Sequence, residues 1–108
     1  MSLFKNHTTR ALFAMAVLGS MHNAAQANEA LARKSDCFGC HSVASKLVGP
    51  AYKDVAAKYA GQADALEQVQ NSIRNGGAGK WGEIPMPPNP KLSAADAKKL
   101  ATWVLGLK

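Results

Sequence analysis

An all-α fold is predicted from three observations. Apolar residues recur at helical spacing in three separate stretches, glycine and proline mark the boundaries between them, and no stretch alternates apolar and polar residues as a strand does. A length of 108 residues leaves room for one domain.

The first segment stands apart from that domain. Residues 1–10 carry Lys5 and Arg10 and no acid, residues 11–21 form a short, mainly apolar run, and Ala25-Gln26-Ala27 places small residues around a cleavage point. This is the pattern of a secretory signal peptide. It predicts removal of residues 1–27, export to the periplasm and a working domain of residues 28–108. The apolar run falls short of the roughly 20 residues a membrane span needs, so no span is expected after processing.

Removal of the leader changes the inventory of reactive side chains. His7, His22, Met1, Met15 and Met21 leave with it, and Cys37, Cys40, His41 and Met86 stay. Lys5 and Arg10 also leave, which lowers the formal charge from +6 to +4, and no run of like charges remains. Nucleic-acid binding is not expected from so even a distribution. A mildly basic face suits acidic protein partners better.

Within the domain, residues 28–36 read as a short helix leading into Cys37, and residues 43–50 as a loop closed by Gly49-Pro50. In residues 51–60, Tyr52, Val55, Ala56 and Tyr59 fall at i, i+3, i+4 and i+7, and Gly61 ends that helix. In residues 64–75, Leu66, Val69 and Ile73 share a face, and Gly76-Gly77 ends the third helix. Residues 76–92 have no periodicity but hold four glycines and four of the five prolines. A loop this long in a compact domain is commonly functional, and its prolines make it stiff. Residues 93–107 read as the last helix, with Ser93 as its cap and Leu100, Trp103, Val104 and Leu107 as its apolar face.

The chemistry is concentrated in Cys37-Phe38-Gly39-Cys40-His41, a C-x-x-C-H sequence of the kind that attaches a c-type haem. Two cysteines three apart on a helical turn point the same way, so both sulfurs can add to the vinyl groups on one porphyrin edge. The adjoining His41 is then carried under the ring as an iron ligand. A redox dithiol expects a strand-rich surround, zinc expects a second ligand pair, and a structural disulfide leaves His41 without a purpose. Met86 is the one soft candidate for the opposite side of the iron, and Pro85, Pro87 and Pro88 flank it. A lone methionine is commonly core filler. In the presence of a haem, His/Met ligation would raise the reduction potential and close the iron to external ligands.

CFGCH, the run VGPAYKDVAAKYAG over residues 48–61, KWGEIPMPPN ending at Asn89, and ATWVLGLK resemble the small bacterial class I cytochromes c of the periplasmic c-551 type. The resemblance covers residues 28–108. It implies four to five short helices wrapped around one covalently bound haem c. It implies thioether bonds at Cys37 and Cys40, with His41 and Met86 as the iron ligands. It further implies that the Pro50 carbonyl accepts a hydrogen bond from His41, that Trp81 donates toward a haem propionate, and that Asn89 hydrogen-bonds near the Met86 sulfur. Ser72 departs from the pattern, because some relatives carry there a basic residue that pairs with a propionate.

The expected function is a monomeric electron shuttle between a quinol-oxidising complex and a terminal reductase, oxidase or peroxidase, with no catalytic residues of its own. Lys46, Lys53, Lys58, Lys80 and Lys91 could ring the haem edge and steer acidic redox partners. The competing readings are an enzyme or gas sensor with an open iron, distinguished by carbon monoxide binding, and a subunit of a larger complex.

Overall fold

The computed structural model describes residues 19–108, in the order α1 Gly19–Lys34, a short 3-10 turn Cys37–Gly39, α2 Tyr52–Tyr59, α3 Ala65–Asn75 and α4 Ala94–Leu105. No strand occurs among the described residues, so the all-α expectation holds. The first part of the expected leader, residues 1–18, lies outside them.

α1 corrects the expected 28–36 helix at both ends. It begins at Gly19 and runs through Ala27, because the intervening alanines, methionine and glutamine favour helix and no proline interrupts them. It ends at Lys34, with Arg33 and Lys34 in the last turn, where cations meet the negative end of the helix dipole. Asp36 then takes a left-handed conformation, φ 62°, which asparagine and aspartate tolerate better than most residues. That reversal sends the chain into the cysteine turn. Residues 24–27 are exposed, and Ala32 further along α1 is buried.

α2 buries Tyr52, Val55, Ala56 and Tyr59, the four residues its periodicity selects. Its first turn has no side-chain cap. The preceding loop supplies the missing acceptors, since Tyr52 and Lys53 donate their backbone N–H groups to the carbonyls of Ser42 and Val43 at 2.9 and 3.0 Å. The loop that follows the cysteine turn is thereby fastened to α2. In α3 only Val69 is fully buried, while Leu66 and Ile73 pack against the core partly exposed.

α4 is the element around which the others assemble, in contact with α1, α2 and α3. Ser93 caps it as expected, its Oγ accepting from the Asp96 N–H at 3.0 Å. Its buried residues are Ala97, Leu100, Ala101 and Val104. The alanines were not part of the expected apolar face. Their small side chains let neighbouring helices approach, and both are fully excluded from solvent.

Residues 76–92 are not free chain. Gly77 and Met86 form an antiparallel bridge, with N–H to carbonyl distances of 3.1 and 2.8 Å, which closes residues 77–86 at their base. The stiff loop is thus a closed excursion anchored at the end of α3.

Candidate cofactor site

The helices leave a cavity of about 440 Å³ between the cysteine turn, α2, the end of α3 and the closed loop. That volume lies within the range of about 300–1,000 Å³ typical of small-molecule and cofactor sites. Apolar side chains of the core, among them Val55, Val69, Leu100 and Val104, open onto it. All seven site residues expected from the sequence line it: Cys37, Cys40, His41, Pro50, Trp81, Met86 and Asn89.

The cysteine turn is tight because Cys40 and His41 both donate their backbone N–H groups to the Cys37 carbonyl, at 3.2 and 3.0 Å. This keeps both cysteines at one wall as free thiols. Burial pushes the Cys37 thiol above its ordinary value, and the Tyr52 hydroxyl beside it partly opposes that shift. Cys37 is therefore held as the neutral thiol around neutral pH.

His41 is fixed by its surroundings. Its Nδ1 lies 2.8 Å from the Pro50 carbonyl oxygen. A carbonyl only accepts, so Nδ1 carries the proton, and in the neutral ring Nε2 keeps a free lone pair for a metal. The ring stacks on Tyr52, with centroids 5.1 Å apart and planes 22° from parallel. On another side it lies over Gly49, where any Cβ would fall 2.4 Å from the ring Cε1. Tyr52 in turn meets Phe38 and Trp103 edge-on, at 5.6 and 5.4 Å. Burial raises the Tyr52 hydroxyl far above its usual range, with the nearby cysteines adding to the effect, so it stays protonated.

The opposite wall belongs to the loop. Met86 is half-buried there, held by its bridge to Gly77. For Asn89 the resemblance implies a bond near the Met86 sulfur. In the structure its Nδ2 donates to the Ile73 carbonyl at 2.8 Å, and its backbone N–H donates to Arg74 at 3.0 Å. Asn89 thus ties the loop to α3. Trp81 carries Lys58 over its ring at 4.3 Å, and the same ammonium donates to the Lys80 carbonyl at 2.9 Å. Ser72 also lines the cavity, its hydroxyl donating to the Gln68 carbonyl within α3 at 3.0 Å.

The five lysines expected around the site separate into groups. Lys46 and Lys80 line the cavity, Lys58 is occupied by Trp81, Lys53 borders a different groove beside Leu105 and Leu107, and Lys91 is exposed and lines neither. Leu47, Val48 and Ile84, at the cavity's edge, are the large exposed apolar side chains of the described surface.

Sequence reasoning did not single out Gly49, Gly76 or Tyr52 as site residues. Gly49 and Gly76 looked like ordinary breakers, and Tyr52 like one member of a helix face. Only the closeness of Gly49 to the CxxCH histidine's proline partner hinted at more.

The donor set fits a c-type haem. Two thiols stand at one wall, an imidazole with a free Nε2 adjoins them, a thioether stands on the loop wall, and apolar side chains lie between. Among the described residues no cluster of three or more His, Cys, Asp or Glu offers an alternative metal site.

Comparison with known proteins gives the same direction. The profile of the cytochrome c family matches residues 25–108. Cytochrome c-552 of Nitrosomonas europaea is 55% identical over 84 residues, which cover 78% of this chain and 82% of that protein. Cytochrome c-551 of Allochromatium vinosum is 55% identical over 83 residues, covering 77% and 88% respectively. The crystal structure of the Nitrosomonas europaea protein superposes with a TM-score of 0.72 at 54% identity, over 74% of this chain and 99% of that one.

Proposed function

We propose, for a chain that belongs to the cytochrome c family, that His41 and Met86 ligate the iron of its haem and that it shuttles single electrons in the periplasm. Membership makes it a small electron-transfer protein with covalently bound haem c. The haem supplies the reversible one-electron couple of its iron, and the residues of this chain determine how that couple is held and tuned.

The observation that carries the reading is the His41–Pro50 pair at 2.8 Å. It fixes the tautomer that leaves Nε2 free at the cavity wall, and a carbonyl partner on Nδ1 also raises the basicity of the ring. Met86 offers a soft thioether, which favours ferrous iron and so raises the potential. Stiff backbone on either side of it limits how far the sulfur can withdraw. Cys37 and Cys40 provide the thiols for covalent attachment, each adding its S–H across a vinyl group. Trp81 is a donor at the cavity wall suited to a propionate carboxylate, its ring steadied by Lys58.

The exposed Leu47, Val48 and Ile84 with Lys46 and Lys80 form a mixed apolar and basic rim. Such a rim suits brief docking of an acidic redox protein, where charge steers approach and apolar contact brings the centres close.

Processing after Ala27 fits the burial pattern. Residues 24–27 are exposed, whereas Ala32 is 1% exposed. Cutting there shortens α1 and leaves the buried Ala32 in place. Among the described residues no helix is long and apolar enough to cross a membrane.

A potentiometric titration of the exported protein tests this reading together with its intact mass. The expected result is one reversible n = 1 transition in a protein that begins at Asn28 and carries one haem. An irreversible or multi-electron transition contradicts the shuttle, and a retained leader contradicts the processing.

A further inference from the structure

We propose that Gly76 is a positioning residue for Met86: the missing Cβ lets the backbone of Met86 and Pro87 seat directly on the end of α3, and this contact sets where the Met86 sulfur lies. The inference rests on Met86 being an iron ligand.

Gly76 follows the last residue of α3 with φ 71° and ψ −168°, a region open essentially to glycine alone. Conformation is only half of the requirement. A Cβ at this position would lie 2.3 Å from the Met86 carbonyl oxygen, 2.9 Å from the Pro87 carbonyl carbon and 2.9 Å from the Pro88 nitrogen. All three are backbone atoms, and they belong to a stretch whose φ angles are restricted by Pro85, Pro87 and Pro88. A flexible side chain could swing away from such a Cβ, but this backbone cannot.

The contact lies at the centre of a set of hydrogen bonds. Gly77 and Met86 exchange two, at 3.1 and 2.8 Å. Three residues beyond Met86, Asn89 returns to α3 through the Arg74 and Ile73 carbonyls at 3.0 and 2.8 Å. Met86 is therefore tied to Gly77, just past α3, by its own N–H and carbonyl, and to α3 itself through Asn89. An added methyl group at residue 76 must either break these ties or push residues 86–88 away as a unit. Either response moves the thioether.

Three other glycines have positive φ, and two of them separate strain from contact. Gly61 has φ 78° and Gly79 has φ 83°, and a Cβ on either meets nothing within 4 Å. Alanine at those positions strains the backbone without touching Met86, and Gly79 lies within the same closed loop.

The experiment compares Gly76→Ala, Gly61→Ala, Gly79→Ala and Met86→Ala holoproteins by two readouts. One is the weak far-red ferric absorption characteristic of methionine sulfur on iron, and the other is carbon monoxide binding by the ferrous form. Expected for Gly76→Ala is loss of most of the far-red absorption and a gain of carbon monoxide binding, with Gly61→Ala, whose residue lies outside the cavity lining, unchanged. Retention of the band in Gly76→Ala, or its loss in all three glycine variants alike, overturns the positioning role. If Met86→Ala itself keeps the wild-type band, the ligand assignment fails instead, so the two failures are distinguishable. Should Gly76→Ala yield no folded holoprotein, Asn89→Ala decides, because it loosens the same junction without adding volume. Faster displacement of Met86 by added cyanide is then expected, and an unchanged rate overturns the proposal.

Discussion

The imidazole of His41 lies against the Cα of Gly49, so closely that a Cβ there would fall 2.4 Å from Cε1, 2.8 Å from Nδ1 and 3.0 Å from Nε2. The same ring is tethered on Nδ1 by the carbonyl of Pro50, the next residue along. Gly49-Pro50 therefore forms one device: the proline orients the ring, and the glycine makes room for it.

Gly49→Ala should disturb that device. The ring must turn off the Pro50 carbonyl or the loop must move, at a cost of about 1–3 kcal/mol as for other overpacked sites. The expected outcome is a lower yield of haem-loaded protein, read by intact mass, and a shifted potential in what is recovered. Wild-type loading and potential would show that the ring position is not critical.

Lys58 is held by the Trp81 ring and the Lys80 carbonyl. Lys58→Gln removes the cation over the indole, an interaction worth about 0.5–1 kcal/mol at an exposed site. Thermal unfolding of the holoprotein should fall by a few degrees, while the salt dependence of electron transfer changes little. A large change in salt dependence would return Lys58 to the docking face.

Lys46 and Lys80 are the lysines that line the cavity, and they should dominate steering. Lys46→Gln with Lys80→Gln is expected to slow oxidation by an acidic redox partner several-fold at low ionic strength and to flatten its dependence on salt. Stopped-flow rates across a salt series read this directly. Equal salt slopes for wild type and variant would rule out the assignment.

Ala101 is fully excluded from solvent on α4 and belongs to the core cluster. Ala101→Leu should destabilise the fold by about 1–3 kcal/mol through overpacking. Denaturant unfolding of the holoprotein, followed by far-UV circular dichroism, measures it. An unchanged midpoint would mean that α4 packs more loosely than the structure shows.

These expectations divide according to how far along the chain their causes lie. The helical face of α2 was legible because periodicity is local, as were Leu100 and Val104 of α4 but not its buried alanines, and Ser93 was legible because its cap partner is three residues away. The cysteine turn was legible because CxxCH encodes its own chemistry. Pro50 followed only from resemblance, and in the structure its carbonyl oxygen lies 2.8 Å from His41 Nδ1. The start of α1 was misread, because helix propensity continues smoothly through Ala27 whether or not the chain is cut there. Gly76 against Met86, Lys58 on Trp81 and Asn89 on Ile73 join residues 10 to 23 positions apart across a loop without periodicity. No local pattern encodes such contacts. They arise only when the returning loop meets α2 and the end of α3.

The central claim is an iron closed by His41 and Met86, and the visible spectrum tests it most directly. Wild type and Met86→Ala should be recorded oxidised, reduced, and reduced under carbon monoxide. The account predicts a low-spin wild type with the far-red ferric band and no response to carbon monoxide. For Met86→Ala it predicts loss of the band, ready carbon monoxide binding and a potential lower by on the order of 100 mV, within the roughly 0.8 V that axial ligands span. A wild-type spectrum that shifts with carbon monoxide, or a Met86→Ala protein identical to wild type, would contradict it.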